Sequence, residues 1–140
     1  MHRYNLKRKA DKAVNKLEYE HGISNTGNWY RMKRLFERAA AGEELTIGFL
    51  GGSITQGCLA TKPELCYAYR VYAWWVKTFP QATFHYVNAG IGGTTSHFAS
   101  ARVDADLLSH HVDFAIVEFS VNDDSTEFFR ETYEGVVRHV

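Results

Sequence analysis

Three short stretches of this sequence combine glycine with a hydroxyl or a carboxamide. They are Gly51-Gly52-Ser53-Ile54-Thr55-Gln56-Gly57, Asn88-Ala89-Gly90-Ile91-Gly92-Gly93-Thr94-Thr95 and Ser120-Val121-Asn122-Asp123-Asp124. Together they hold the parts that acyl transfer needs: a hydroxyl to attack a carbonyl carbon, and two or three fixed N–H donors for the oxyanion that then develops. Ser53 is the candidate nucleophile. Gly52 and Gly93 lack a Cβ, so the backbone there can bring its amides close to a substrate. Asn122 can add a side-chain N–H at the same point.

Other chemistries fit these residues less well. Residues 52–57 satisfy the Gly-x-x-x-x-Gly part of a phosphate-binding loop, but Cys58-Leu59 replaces the lysine and the magnesium-binding hydroxyl. The second stretch has Thr95 where a dinucleotide motif places its third glycine. A nucleotide-binding α/β domain is therefore the alternative from a different class. Thr55 stands where a Gly-x-Ser-x-Gly elbow needs its last glycine. His110 and His111 diverge as neighbours on a helix, and no third ligand is spaced to join them, so no metal is expected.

In order and separation, the three stretches resemble blocks I, II and III of the SGNH/GDSL ester hydrolases. Ser53 matches the block I serine, Gly93 the block II glycine and Asn122 the block III asparagine. The resemblance covers about residues 46–124. It implies that the Ser53 N–H, the Gly93 N–H and the Asn122 side chain form an oxyanion hole, with Gly52, Thr94 and Asp123 lining the substrate. No cofactor is implied. The substrate class is a small-molecule or carbohydrate ester, with an acetylated sugar first because the family often deacetylates sugars. Gly51-Gly52-Ser53-Ile54 replaces the usual Gly-Asp-Ser-Leu, and Ser120 replaces the glycine that often opens block III, without removing a catalytic group.

The family's general base is a larger departure. It comes from an Asp-x-x-His, and none of the seven histidines has an aspartate three residues before it. Asp106 and His110 come nearest, at the wrong spacing and inside an expected helix. The expectation is a truncated serine esterase with little turnover of its own, or else a non-catalytic binding module.

The elements that must position these loops follow from hydrophobic period. Residues 46–50 and 83–88 are short apolar runs that end at glycine-bearing loops, as buried parallel strands do, and 113–121 is a third. Between them, residues 67–79 and 96–110 have helical length and spacing, with Pro80 closing the first. Asn28 is a plausible cap for a helix carrying Trp29, Met32, Leu35, Phe36 and Ala39, which Gly42 ends. Alternating strands and helices give an α/β class, here a three-layer flavodoxin-like sandwich with a parallel sheet. A last helix over 126–140, apolar on one side, has no strand after it, so the sheet is expected to be incomplete at about three strands. The division is a charged leader over 1–27, expected to be helical, and a partial SGNH hydrolase domain over 28–140.

Glu118 interrupts the apolar third strand, and a buried carboxylate needs a partner, for which Arg102 is the candidate. At the usual strand rise Glu118 lies about 13 Å from Asn122, too far to act as the base. Tyr67, Tyr69, Tyr72, Trp74 and Trp75 are expected in the core, with one or two rings reaching the site.

Charge narrows the partners. Sixteen basic and sixteen acidic residues cancel, so the field that would draw nucleic acid or an anionic membrane is weak. No apolar run resembles a signal peptide or a membrane span, and a cytoplasmic location is the expectation. Cys58 and Cys66 match neither a redox pair nor a zinc ribbon and are expected as free thiols.

Overall fold

The structure, a computed structural model, describes residues 27–140. The chain divides into two units, with the boundary between Lys33 and Arg34. Apart from Gly27, the expected leader lies outside the described residues. In the first unit the Asn28 side chain accepts the Tyr30 N–H at 2.9 Å, which is the cap that the sequence calls for. Helix α1 (Trp29–Ala40) starts there.

Strand β1 (Glu44–Gly51) leads into a single-turn helix α2 (Ser53–Gln56) and then helix α3 (Tyr67–Thr78). Strand β2 (Thr83–Gly90), helix α4 (Ser96–Asp106), strand β3 (Phe114–Glu118) and helix α5 (Glu127–His139) follow. The sheet is parallel throughout, in the order β2-β1-β3. Its register sets Gly51 beside both Gly90 and Glu118, so the three strands finish level and release their loops at one edge.

Period-two alternation divides the sheet residues between two faces. On one face Leu50, Ala89, Ala115 and Val117 pack with Ala99, Val103 and Leu107 of α4 and Val136 of α5. Gly48 belongs to this face, where a Cβ would come within 2.7 Å of Leu107 and Val112 side-chain carbons. On the other face Trp75 of α3, which is 1% exposed, contacts Phe84, Phe114 and Phe36. Phe49 meets Tyr67 and Tyr86 there as well. Among the described residues, helices thus cover both faces of a three-stranded parallel sheet, the α/β class expected.

Two elements end well short of the sequence reading, and the other ends shift by one or two residues. The helix expected to reach 110 stops at Asp106 and continues as a 3-10 turn, Leu108–His110, capped by His111 at φ 52°. The strand expected to reach 121 stops at Glu118, because the chain turns back and the Phe119 carbonyl accepts the N–H groups of Asn122 and Asp123. Cys58 is exposed and Cys66 buried, both as free thiols. Among the described residues no helix is long and apolar enough to cross a membrane.

Candidate active site

Ser53 opens α2 one residue after β1, half-buried at the sheet edge. As the first helical residue it has an N–H with no partner inside the helix. The helix is short because Gly57 ends it in the left-handed region at φ 95°, donating its N–H to Ser53 and Ile54 carbonyls. Its seat leaves no room for a Cβ on the strand ends beneath it. A Cβ on Gly90 would stand 2.2 Å from the Gln56 nitrogen, and one on Gly51 would stand 2.0 Å from Thr55 Oγ1. Two side chains add to that seat: Asn88 Nδ2 donates to the Thr55 carbonyl at 2.8 Å, and the Tyr67 and Thr55 hydroxyls are 2.8 Å apart. Burial raises the Tyr67 phenol above its ordinary value, so it stays a neutral hydroxyl.

The second loop comes to Ser53 through Gln56. Its Oε1 accepts the Gly92 N–H at 2.9 Å, and the Cβ position of Gly92 lies 3.8 Å from Ser53 Cβ. Gly93 follows at φ 74° with open space around it, so the left-handed conformation rather than crowding selects glycine there. The third loop approaches from the other side. Asn122 Nδ2 lies 3.2 Å from the Cβ position of Gly52 and donates to the Thr94 carbonyl at 2.6 Å. A carboxamide nitrogen carries two hydrogens, so one N–H is left after that bond. Residues from all three loops therefore meet at the carboxyl ends of the strands, where open α/β sheets bind ligands.

The other residues singled out in the sequence fall as follows. Gly52 gives its N–H to the Glu118 carbonyl at 3.3 Å, joining the first and third loops. Thr94 uses its hydroxyl on the Ile91 carbonyl at 2.7 Å, closing its own turn. Asp123 Oδ1 accepts the Ser96 N–H at 3.0 Å, which ties the third loop to the start of α4. The Arg102–Glu118 pair is not formed. Glu118 Oε1 instead accepts from the Ser120 N–H at 2.9 Å and from its hydroxyl at 2.5 Å. Arg102 bonds Asp106 at 3.0 Å and two strand-end carbonyls. Alternation is the reason: Glu118 shares a face with Phe114 and Ile116, whereas Arg102 arrives from α4 on the face of Val117.

Thr55, Gln56 and Asn88 were not singled out as site residues, although they hold the first two loops together. Gln56 had a signal, since it lies three residues after Ser53 on the same side of a helical turn. Among the described residues, no histidine or carboxylate hydrogen-bonds the Ser53 hydroxyl. His97, at the start of α4, turns its ring toward Phe128 of α5, with centroids 4.9 Å apart.

Residues 49–140 match the GDSL-like Lipase/Acylhydrolase family. The chain belongs to that family. A two-domain esterase active on acetylated mannans is 69% identical over 86% of the chain, with a TM-score of 0.85. The chain spans 33% of that esterase's length. More distant structures share the fold. An acetylxylan esterase from Geobacillus stearothermophilus, solved as a catalytic mutant, is 19% identical over 68% of this chain and 53% of its own, with a TM-score of 0.56. The esterase AlinE4, solved as the mutant D162A, is 23% identical over 70% and 53%, with a TM-score of 0.58. No curated protein sequence matches the chain.

Proposed function

We propose that this chain carries the nucleophile and oxyanion half of a serine esterase that removes acetyl groups from a carbohydrate. The convergence of Ser53, the Gly92-Gly93 turn and Asn122 at one sheet edge supports this reading. Ser53 Oγ attacks the ester carbonyl, and the oxygen that becomes negative is held by the N–H groups of Ser53 and Gly93 and by the second N–H of Asn122. Collapse of the tetrahedral intermediate expels the sugar hydroxyl, and water then hydrolyses the acyl-serine. Kinship with the mannan esterase supports an acetylated polysaccharide as substrate.

A serine hydroxyl is a weak nucleophile at neutral pH unless a base takes its proton. The described residues place none there, so full turnover requires a base from outside them. The test compares residues 1–140 with a chain extended through the family's Asp-x-x-His, on nitrophenyl acetate and on acetylated mannan. The extended chain should release acetate in a Ser53-dependent way. Residues 1–140 should be slower by roughly 10⁴–10⁶-fold, with a residue of rate from the donors alone. An extended Ser53→Ala chain that keeps its rate would remove Ser53 from the mechanism, and efficient Ser53-dependent turnover by residues 1–140 would show a base within them.

A further inference from the structure

Arg102 is a buried cation that the reaction just described does not use. It projects from α4 with 7% of its surface exposed. Nη1 donates to the Ala89 carbonyl at 2.8 Å and to Asp106 Oδ2 at 3.0 Å, and Nη2 donates to the Gly51 carbonyl at 3.3 Å. Its Cζ lies 5.7 Å from the centre of the Phe98 ring. Its Nε is buried with no partner among the described residues. A buried cation with an N–H left unsatisfied is a costly way to fill space, and an apolar side chain of similar volume would pack there at lower cost.

The two carbonyls have a particular place in the fold. Gly51 is the last residue of β1 and Ala89 the last but one of β2, and the strands pair there for the last time, Gly51 with Gly90. Past that pair the chains separate. One enters Gly52-Ser53 and the other Ile91-Gly92-Gly93. The Gly51 carbonyl also accepts the Ile91 N–H at 3.0 Å, so it lies where the second loop departs.

We propose that Arg102 is a positioning residue: its guanidinium bridges the carbonyl ends of β1 and β2 and so fixes the spacing between the Ser53 loop and the Gly93 loop. A planar fork suits this task because two of its nitrogens reach two acceptors in a fixed geometry, whereas a lysine ammonium acts as a point charge on a flexible stem. Asp106, one turn along α4, sets the guanidinium's orientation from behind. The catalytic part of this inference rests on reading Ser53 and Gly93 as the nucleophile and oxyanion loops.

The test compares wild type with Arg102→Met and Arg102→Lys. Amide hydrogen exchange by NMR on residues 1–140 reports the bridge directly. The Ile91 amide, bonded to the Gly51 carbonyl that Arg102 also holds, should exchange at least about tenfold faster in both variants, while Leu45 and Ile47, earlier in β1, keep their protection. In a chain extended through Asp-x-x-His, methylboronic acid, followed by ¹¹B NMR, reports the site through its tetrahedral adduct on Ser53, and its affinity should fall about tenfold in each variant. Should Arg102→Met not fold, Arg102→Lys, which keeps the charge, decides both readouts. Exchange that rises equally along the whole of β1, or not at all, overturns the bridge. Selective opening with unchanged boronate affinity overturns the positioning role. An extended wild-type chain that binds no boronate, or binds it equally well as its Ser53→Ala form, refutes the hydrolase reading instead, with the exchange result still judging the bridge.

Discussion

Replacing Gly90 by alanine tests whether the placement of α2 governs the site. The added Cβ would stand 2.2 Å from the Gln56 nitrogen, 2.6 Å from the Thr55 carbonyl carbon and 2.7 Å from the Gln56 Cα. All three are backbone atoms, so no side-chain rotation relieves the clash. Ordinary contact begins at 3.4 Å, and 3.4 − 2.2 gives 1.2 Å as the least separation that must open between β2 and α2. A shift of about 1 Å at reacting groups is enough to cost roughly 10² in rate, and overpacking of this kind costs about 1–3 kcal/mol of stability. Gly48→Ala is the matched control. Its Cβ would meet Leu107 and Val112 side-chain carbons at 2.7 Å, in the core under α4, three residues short of the end of β1. The assay is turnover of nitrophenyl acetate by a chain extended through Asp-x-x-His, beside urea unfolding of the same proteins. Gly90→Ala should lose both rate and stability, and Gly48→Ala mainly stability. A folded Gly90→Ala enzyme with normal turnover, or equal loss of turnover in Gly48→Ala, would show that the seat of α2 does not control the site.

In the same extended chain, Asn122→Ala should lower turnover by roughly 10²–10³-fold with little change in KM, as loss of one oxyanion donor does, and a normal rate would remove Asn122 from the hole. Tyr86 gives a pH signature. Burial raises its phenol to about 12 from 10.0, against the lowering effect of the Asn88 hydrogen bond. The unfolded chain loses this proton first, so the contribution to stability is complete below pH 10.0 and is lost as pH rises through about 12. Urea midpoints at about pH 9 and about pH 11 should therefore differ less in Tyr86→Phe than in wild type, and an identical difference would mean that Tyr86 is not the group responsible.

The fold was legible because its signals are local. Runs such as residues 46–50 and their glycine exits depend on burial and turn geometry, and the Asn28 cap on one side-chain oxygen reaching the next turn. The three site loops could be found for the same reason, since strand ends in an α/β sheet face one edge whatever the loop lengths. What was not legible depends on pairings across the fold. Arg102 was expected to pair with Glu118, but its partners are Asp106 and main-chain carbonyls of β1 and β2, and a sequence does not mark which carbonyls lie bare at a strand end. Glu118 was assigned the wrong partner because its face was not compared with that of α4. The link from Gln56 to Gly92 spans 36 residues and exists only once both turns have formed.

The strand order has a consequence for how this chain is made. Among the described strands β1 is central, yet it is translated before both of its neighbours, and Ile47 must wait for Phe114, its partner in β3. Those positions are 114 − 47 = 67 residues apart. At ribosomal rates of about 5–20 residues per second, one side of β1 is without a neighbour for about 3–13 s after it is synthesised. Phe49 and Leu50, fully buried in the finished protein, spend that interval on a strand with a bare edge. The nascent chain is therefore most exposed to misassociation, and offers most to a chaperone, before any of its third loop has been translated.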